Sequence, residues 1–189
     1  MSLDAISELL GRHSEQVLLV DEAYADFGAQ SALSIIDQHP NLLVSHTFSK
    51  GRSLAGLRLG VAYGHVDLIE GLKRVKNSFN SYPVDVLAQA AGVASIKDET
   101  YYRETINTII NTRNRATATL QARGFEVLPS AANFIFVKPG DNDASALFDS
   151  LSSAGVLVRY WAKPRLDQWL RISIGTAEDM GRLMRCLNA

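Results

Sequence analysis

Apolar residues fall along this chain in runs of different texture, and the change from one texture to the next predicts its elements. Ile6, Leu9 and Leu10 recur at helical spacing over residues 4–13, with Asp4 positioned to cap that helix. The next run, VLLV, is continuous and stops abruptly in the carboxylates of DEAYADF. NLLVSHTFSK repeats that layout about 24 residues later, and RLGVAYG supplies a third short run. Continuous apolar runs belong to strands covered on both faces, as in a parallel sheet, so this region predicts α/β structure.

Helical spacing then takes over across 67–76, 84–97 and 99–123, with Pro83 marking the start of the second helix and Gly124 the end of the third. Tyr102, Ile106, Ile109, Ile110 and Leu120 form the apolar face of the longest of the three. Beyond Gly124 come FEVLP, NFIFVK, a helix over 144–153, VLVRYW, WLRISIG and a last helix over 177–187. The order ββαββα predicts a separate small α+β domain, its boundary lying within the helical block.

Composition narrows the classes of function. A 47% hydrophobic fraction over 189 residues leaves ample material for a core. The 19 basic and 20 acidic residues are spread along the chain, for a net charge of −1, unlike the basic footprint of a nucleic-acid binder. No apolar run approaches the roughly 20 residues that span a bilayer. MSLDAISELLGRHSEQ lacks the basic and long apolar regions of a signal peptide, so a cytoplasmic protein without a membrane partner is expected. Cys186 stands alone, which excludes an intrachain disulfide and predicts a buried small hydrophobe.

Candidate chemistry gathers where the strands end. Ligands of open α/β sheets bind beyond the C-terminal ends of parallel strands. Asp21, Glu22 and Tyr24 follow the first strand; Thr47, Ser49 and Lys50 follow the second. A lysine forms a Schiff base with an aldehyde or ketone if its amine is neutral, and burial at a strand end or a nearby cation such as Arg58 favours that state. The planar fork of Arg58 and the hydroxyls of Thr47 and Ser49 suit a phosphate. Asp21 suits a protonated ring nitrogen: a charge pair about 4 Å apart at an effective dielectric near 20 is worth roughly 4 kcal/mol, or about 3 pKa units. An aldehyde cofactor carrying a phosphate joins these requirements. GRSLAG is not a nucleotide phosphate loop, because Leu57-Arg58 follows where Lys-Ser or Lys-Thr is needed. His13, His39, His46 and His65 show no metal-ligand spacing, and no G-x-S-x-G elbow occurs.

DEAYADF followed by SHTFSKGRSLAGLRLG resembles the fold type I pyridoxal-5′-phosphate-dependent aminotransferases, closest to their histidinol-phosphate aminotransferase branch. NFIFVK and LRISIG resemble that branch's small-domain strands, and the similarity runs from about residue 15 to the end. The resemblance implies pyridoxal 5′-phosphate as cofactor and Lys50 as its Schiff-base and proton-shuttling lysine. It implies Asp21 as partner of the ring nitrogen, Tyr24 at the cofactor's 3′-oxygen, and Thr47, Ser49 and Arg58 at its phosphate. Arg171 then binds the substrate's anionic end, and Arg159 its phosphate.

The same resemblance implies an N-P-x-N-P-T-G stretch, a ring-stacking aromatic and a glycine-rich helix start before DEAYADF, and this sequence contains none of them. The chain therefore reads as a C-terminal portion. Residues 1–83 would complete the large cofactor domain, 84–123 would connect, and 124–189 would form the small domain. The function expected of the parent enzyme is transamination between glutamate and a histidinol phosphate-type substrate, with little activity in this chain alone. Phosphothreonine decarboxylation, aromatic transamination, or a non-catalytic folding and interaction module are the alternatives. Exposed sheet edges predict a homodimer or other self-association.

Overall fold

The computed structural model describes residues 1–140 and 142–187. Two compact units divide the chain, Met1–Arg103 and Glu104–Ala189.

The first unit opens with α1 (Leu3–Arg12), whose N-terminus is capped by Ser2 rather than Asp4. The Ser2 hydroxyl accepts from the Ala5 amide at 3.3 Å, because the helix starts one residue earlier than the apolar spacing marks, and Asp4 lies in the first turn. Strand β1 (Leu18–Asp21) pairs in parallel with β2 (Leu42–Thr47), Asp21 standing opposite Ser45. Ile6, Leu10, Ala32, Leu42 and Val44 form the buried cluster beneath this pair. The third strand, β3 (Gly60–Gly64), departs from the parallel expectation and runs antiparallel to β2. Residues 48–59 connect them with one short 3-10 turn and no crossover helix, the element that usually carries a parallel return. Leu19 of β1 is exposed, so that strand is covered on one face only.

Helices α2 (Val66–Phe79) and α3 (Val86–Lys97) follow. Asp85, not Pro83, caps α3, its carboxylate accepting from the Ala88 amide at 2.9 Å. Helix α4 (Glu99–Ala122) ends as its glycine predicts: Gly124 adopts φ 83°, and the Phe125 amide returns to the Leu120 carbonyl at 3.1 Å.

In the second unit, β4 (Glu126–Val127), β5 (Phe134–Lys138), β6 (Arg159–Tyr160) and β7 (Leu170–Ser173) form an antiparallel sheet in the order β4-β5-β7-β6. Helices α5 (Ala144–Ser153) and α6 (Ala177–Cys186) complete the ββαββα order. The outer strands β4 and β6 are two residues each, shorter than FEVLP and VLVRYW suggest, because Pro129 closes one and the Val156 amide turns back to Leu151 before the other. Leu120, Ile135, Val137, Leu151, Leu170 and Leu183 lie at the centre of the core, and Cys186 is half-buried against it. Among the described residues no helix is long and apolar enough to cross a membrane.

Candidate active site

Neighbouring residues of a strand point to opposite faces, and at the end of β1 this gives two consecutive carboxylates different fates. Glu22 is 7% exposed and fully engaged. It accepts from the Ser31 hydroxyl at 2.7 Å and the Ala32 amide at 2.5 Å, and lies 2.7 Å from His46 Nε2. A buried carboxylate with that many partners is structural. Asp21 faces the other way and is exposed. It accepts from the Ala23 amide at 3.0 Å and the Ser45 hydroxyl at 3.4 Å, both on Oδ1, so Oδ2 remains available to a ligand. Two residues past Glu22, the half-buried ring of Tyr24 lies under Lys50, whose Nζ is 5.6 Å from the ring centroid.

Lys50 stands on the loop that carries β2 into β3. Phe48 anchors that loop from the interior, its amide donating to Leu59 at 3.0 Å and its carbonyl accepting from Leu54 at 2.9 Å. The Ser49 amide donates to Thr47 Oγ1 at 3.1 Å, which leaves the Thr47 hydroxyl proton free to point outward. The Ser53 amide closes a turn on the Lys50 carbonyl at 3.1 Å. Ser53 and Arg58 both adopt left-handed backbone, with φ of 57° and 52°. Two such non-glycine residues in one short loop are costly and are held where a site needs a particular shape. Arg58 is exposed, its guanidinium tied to the Ala55 carbonyl at 2.9 Å. Lys50 is exposed as well, contrary to the burial expected of it: β2 is buried only over Leu42–Val44, and the lysine lies three residues past its last strand position.

Asp21, Tyr24, Thr47, Ser49, Lys50 and Arg58 thus share the strand ends and connecting loop of the first unit. Arg159 and Arg171 belong to the second. They stand directly opposite each other across β6 and β7. Arg159 lies 5.3 Å from the Trp161 ring; Arg171 lies 5.8 Å from that ring and 5.1 Å from Phe134. The Arg171 Nε is buried with no hydrogen-bond partner among the described residues. A buried donor left open in this way, beside a second guanidinium, suits an incoming anion. Trp161 escapes the sequence reading. Its only signal is its position two residues after Arg159, which puts both on one face.

The model of the aminotransferase class I and II family matches residues 1–187. Histidinol-phosphate aminotransferase 1 of Pseudomonas aeruginosa is 50% identical over 188 residues, covering 100% of this chain and 54% of that protein. Among solved structures, histidinol-phosphate aminotransferase from Sinorhizobium meliloti in complex with pyridoxal-5′-phosphate superposes with a TM-score of 0.79 at 28% identity, over 96% of this chain and 51% of that one. L-threonine-O-3-phosphate decarboxylase from Porphyromonas gingivalis, 22% identical, shares the fold with a TM-score of 0.77 over 100% of this chain and 59% of its own. The chain spans about half the length of the curated relatives it matches. It belongs to the class I and II aminotransferases.

Proposed function

We propose that this chain supplies the Schiff-base lysine, part of the cofactor cradle and the anion-binding arginines of a pyridoxal-phosphate-dependent aminotransferase, which exchanges amino groups between glutamate and a histidinol phosphate-type substrate in the cytoplasm. On this reading residues 1–83 belong to the cofactor-binding domain, 84–123 connect, and 124–189 form the small domain. The donor set fits that cofactor: an exposed amine for the aldehyde, an exposed carboxylate for the ring N–H, and two hydroxyls with a guanidinium for the phosphate. When bound, pyridoxal phosphate supplies an electrophilic carbonyl and an electron-accepting ring.

The protein's part is binding, orientation and proton traffic. Asp21 Oδ2 holds the ring nitrogen protonated, and Tyr24 donates to the 3′-oxygen. Thr47, Ser49 and Arg58 fix the phosphate. Lys50 Nζ would carry a proton between the substrate's Cα and the cofactor's C4′. Arg171 and Arg159, on the plate of Trp161, hold the substrate's anionic groups. Names of relatives favour histidinol phosphate as the class of substrate. Exposed apolar side chains, Leu19 and Phe79 among them, favour a homodimer.

One observation carries the reading. At the end of β1, Glu22 is consumed by buried partners while Asp21 stays available at the strand end, on the sheet whose next strand leads to Lys50 above Tyr24. Adding pyridoxal phosphate to the chain is expected to produce a visible absorption band that Lys50→Ala abolishes and that an added amino donor bleaches. A band that survives Lys50→Ala would overturn the assignment of Lys50.

A further inference from the structure

Tyr102, in the first turns of α4, touches both chain segments that carry the Lys50 site. Its hydroxyl is turned to the Asp26 carboxylate, two residues on from Tyr24, and feels that charge. Its ring face carries the Arg52 guanidinium at 4.1 Å, two residues on from Lys50. Arg52 is held from other sides too, donating to the Ser95 carbonyl at 2.5 Å and lying 5.9 Å from the Phe48 ring and 4.0 Å from Glu99. Only 19% of its side chain is accessible. Between the two arms the Asp26 carboxylate packs on the bare Cα of buried Gly51, and a Cβ there would overlap it. Residues 24–26 and 50–52 are therefore joined in a closed circuit, from Gly51 to Asp26 to Tyr102 to Arg52.

Each link is of a kind that fixes geometry. A carboxylate beside a phenol attracts its hydroxyl, and a guanidinium stacked on an aromatic face loses its freedom to swing. Burial, then the Asp26 carboxylate, push the Tyr102 phenol well above its ordinary pKa, so it remains a donor throughout the working range. Lys50 itself reaches into solvent from an exposed position, on a stem of four rotatable carbons. Where its amine sits is decided by how firmly its turn is held, and small misplacements of a reacting group are expensive.

We propose that Tyr102 is a positioning residue for Lys50, holding the amine above the Tyr24 ring through Asp26 and Arg52. The inference rests on the Lys50 site proposed above, but its test needs no cofactor. The chain has six lysines, Lys50, Lys73, Lys76, Lys97, Lys138 and Lys163. Reductive methylation with 13C-formaldehyde gives each a resolvable NMR signal and leaves its charge intact. The Lys50 signal, identified by its loss in Lys50→Arg, is expected to be displaced from the other five by the ring current of Tyr24 and to lose that displacement in Tyr24→Leu. Tyr102→Phe keeps the ring but removes the hydroxyl. It is expected to return the Lys50 signal to the solvent position while the other five stay in place. Asp26→Ala should do the same, and the double variant should add nothing. Arg52→Lys tests the second arm independently.

A Lys50 signal unmoved by Tyr102→Phe, whether or not the melting temperature falls, overturns the proposal. So does an undisplaced signal in the wild type, or additive effects in the double variant. Failure of pyridoxal phosphate to give a visible band would sink the proposed function and leave this measurement standing.

Discussion

Arg159 and Arg171 stand opposite each other on an antiparallel pair, where like charges repel. Trp161 lies against both guanidinium groups but cancels neither charge. A bound anion would relieve the repulsion and also satisfy the buried Nε of Arg171. Arg171→Lys keeps the charge and loses the fork. It is expected to weaken amino substrates that carry an anionic group by about 10- to 100-fold, the worth of a charge-assisted hydrogen bond of roughly 1.5–3 kcal/mol. Simple amines without a carboxylate or phosphate should be unaffected, and half-reaction rates across the two classes check this; unchanged rates with the anionic substrates would remove Arg171 from substrate binding. Both arginines are legible in VLVRYW and LRISIG, since each stands in a short motif. The partnerless Nε and the aromatic plate are not, because they depend on which residues β7 brings alongside. For the same reason DEAY does not disclose that Glu22 is a buried anchor for Ser31, Ala32 and His46 while Asp21 faces outward.

Elements are legible where local signals act alone. Helix α5 occupies the expected 144–153, opened by Asp143, whose carboxylate accepts from Ser145 and Ala146. Helix α6 begins where Thr176 and Asp179 form a reciprocal capping box. The direction of β3 is a different kind of fact, settled by pairing across a connection that holds no crossover helix. The capping box has a consequence with pH. Hydrogen bonds from the Thr176 hydroxyl and backbone hold the Asp179 carboxyl below its usual value. A carboxyl whose folded pKa is depressed contributes stability above the unfolded value, near 3.9, and loses it as pH falls through the lower folded value. The melting temperature of wild type should therefore exceed that of Asp179→Ala by a constant margin above about pH 5, and the margin should narrow below about pH 4. A margin that does not change across that range would remove ionisation from the cap.

At the scale of the molecule, apolar surface is distributed unevenly. Of the exposed large apolar side chains among the described residues, all but Leu128, Leu157 and Leu166 belong to the first unit. Its helix α2 buries no residue at all, and Leu72, Val75 and Phe79 follow one another at helical spacing along it, 42%, 61% and 80% exposed. A surface helix of a finished globular unit turns such a stripe toward a core, so this stripe is a surface that association would cover. The overall 47% hydrophobic fraction gives no hint of the asymmetry, since composition counts residues and not the faces they occupy. Sedimentation of the chain over a range of concentrations is expected to show a weight-average mass that rises above that of one chain of 20.7 kDa. Val75→Glu with Phe79→Glu should hold it at one chain. Both positions are exposed helix surface, so the melting temperature should change little, as surface substitutions usually stay within about 0.5 kcal/mol. Two charges on one helix face also repel their counterparts in a second copy, which makes the substitution a stronger test than trimming the side chains to alanine. An unchanged mass profile in the double variant would move the association surface off α2 and onto the free edge of β1, where Leu19 is the exposed apolar side chain.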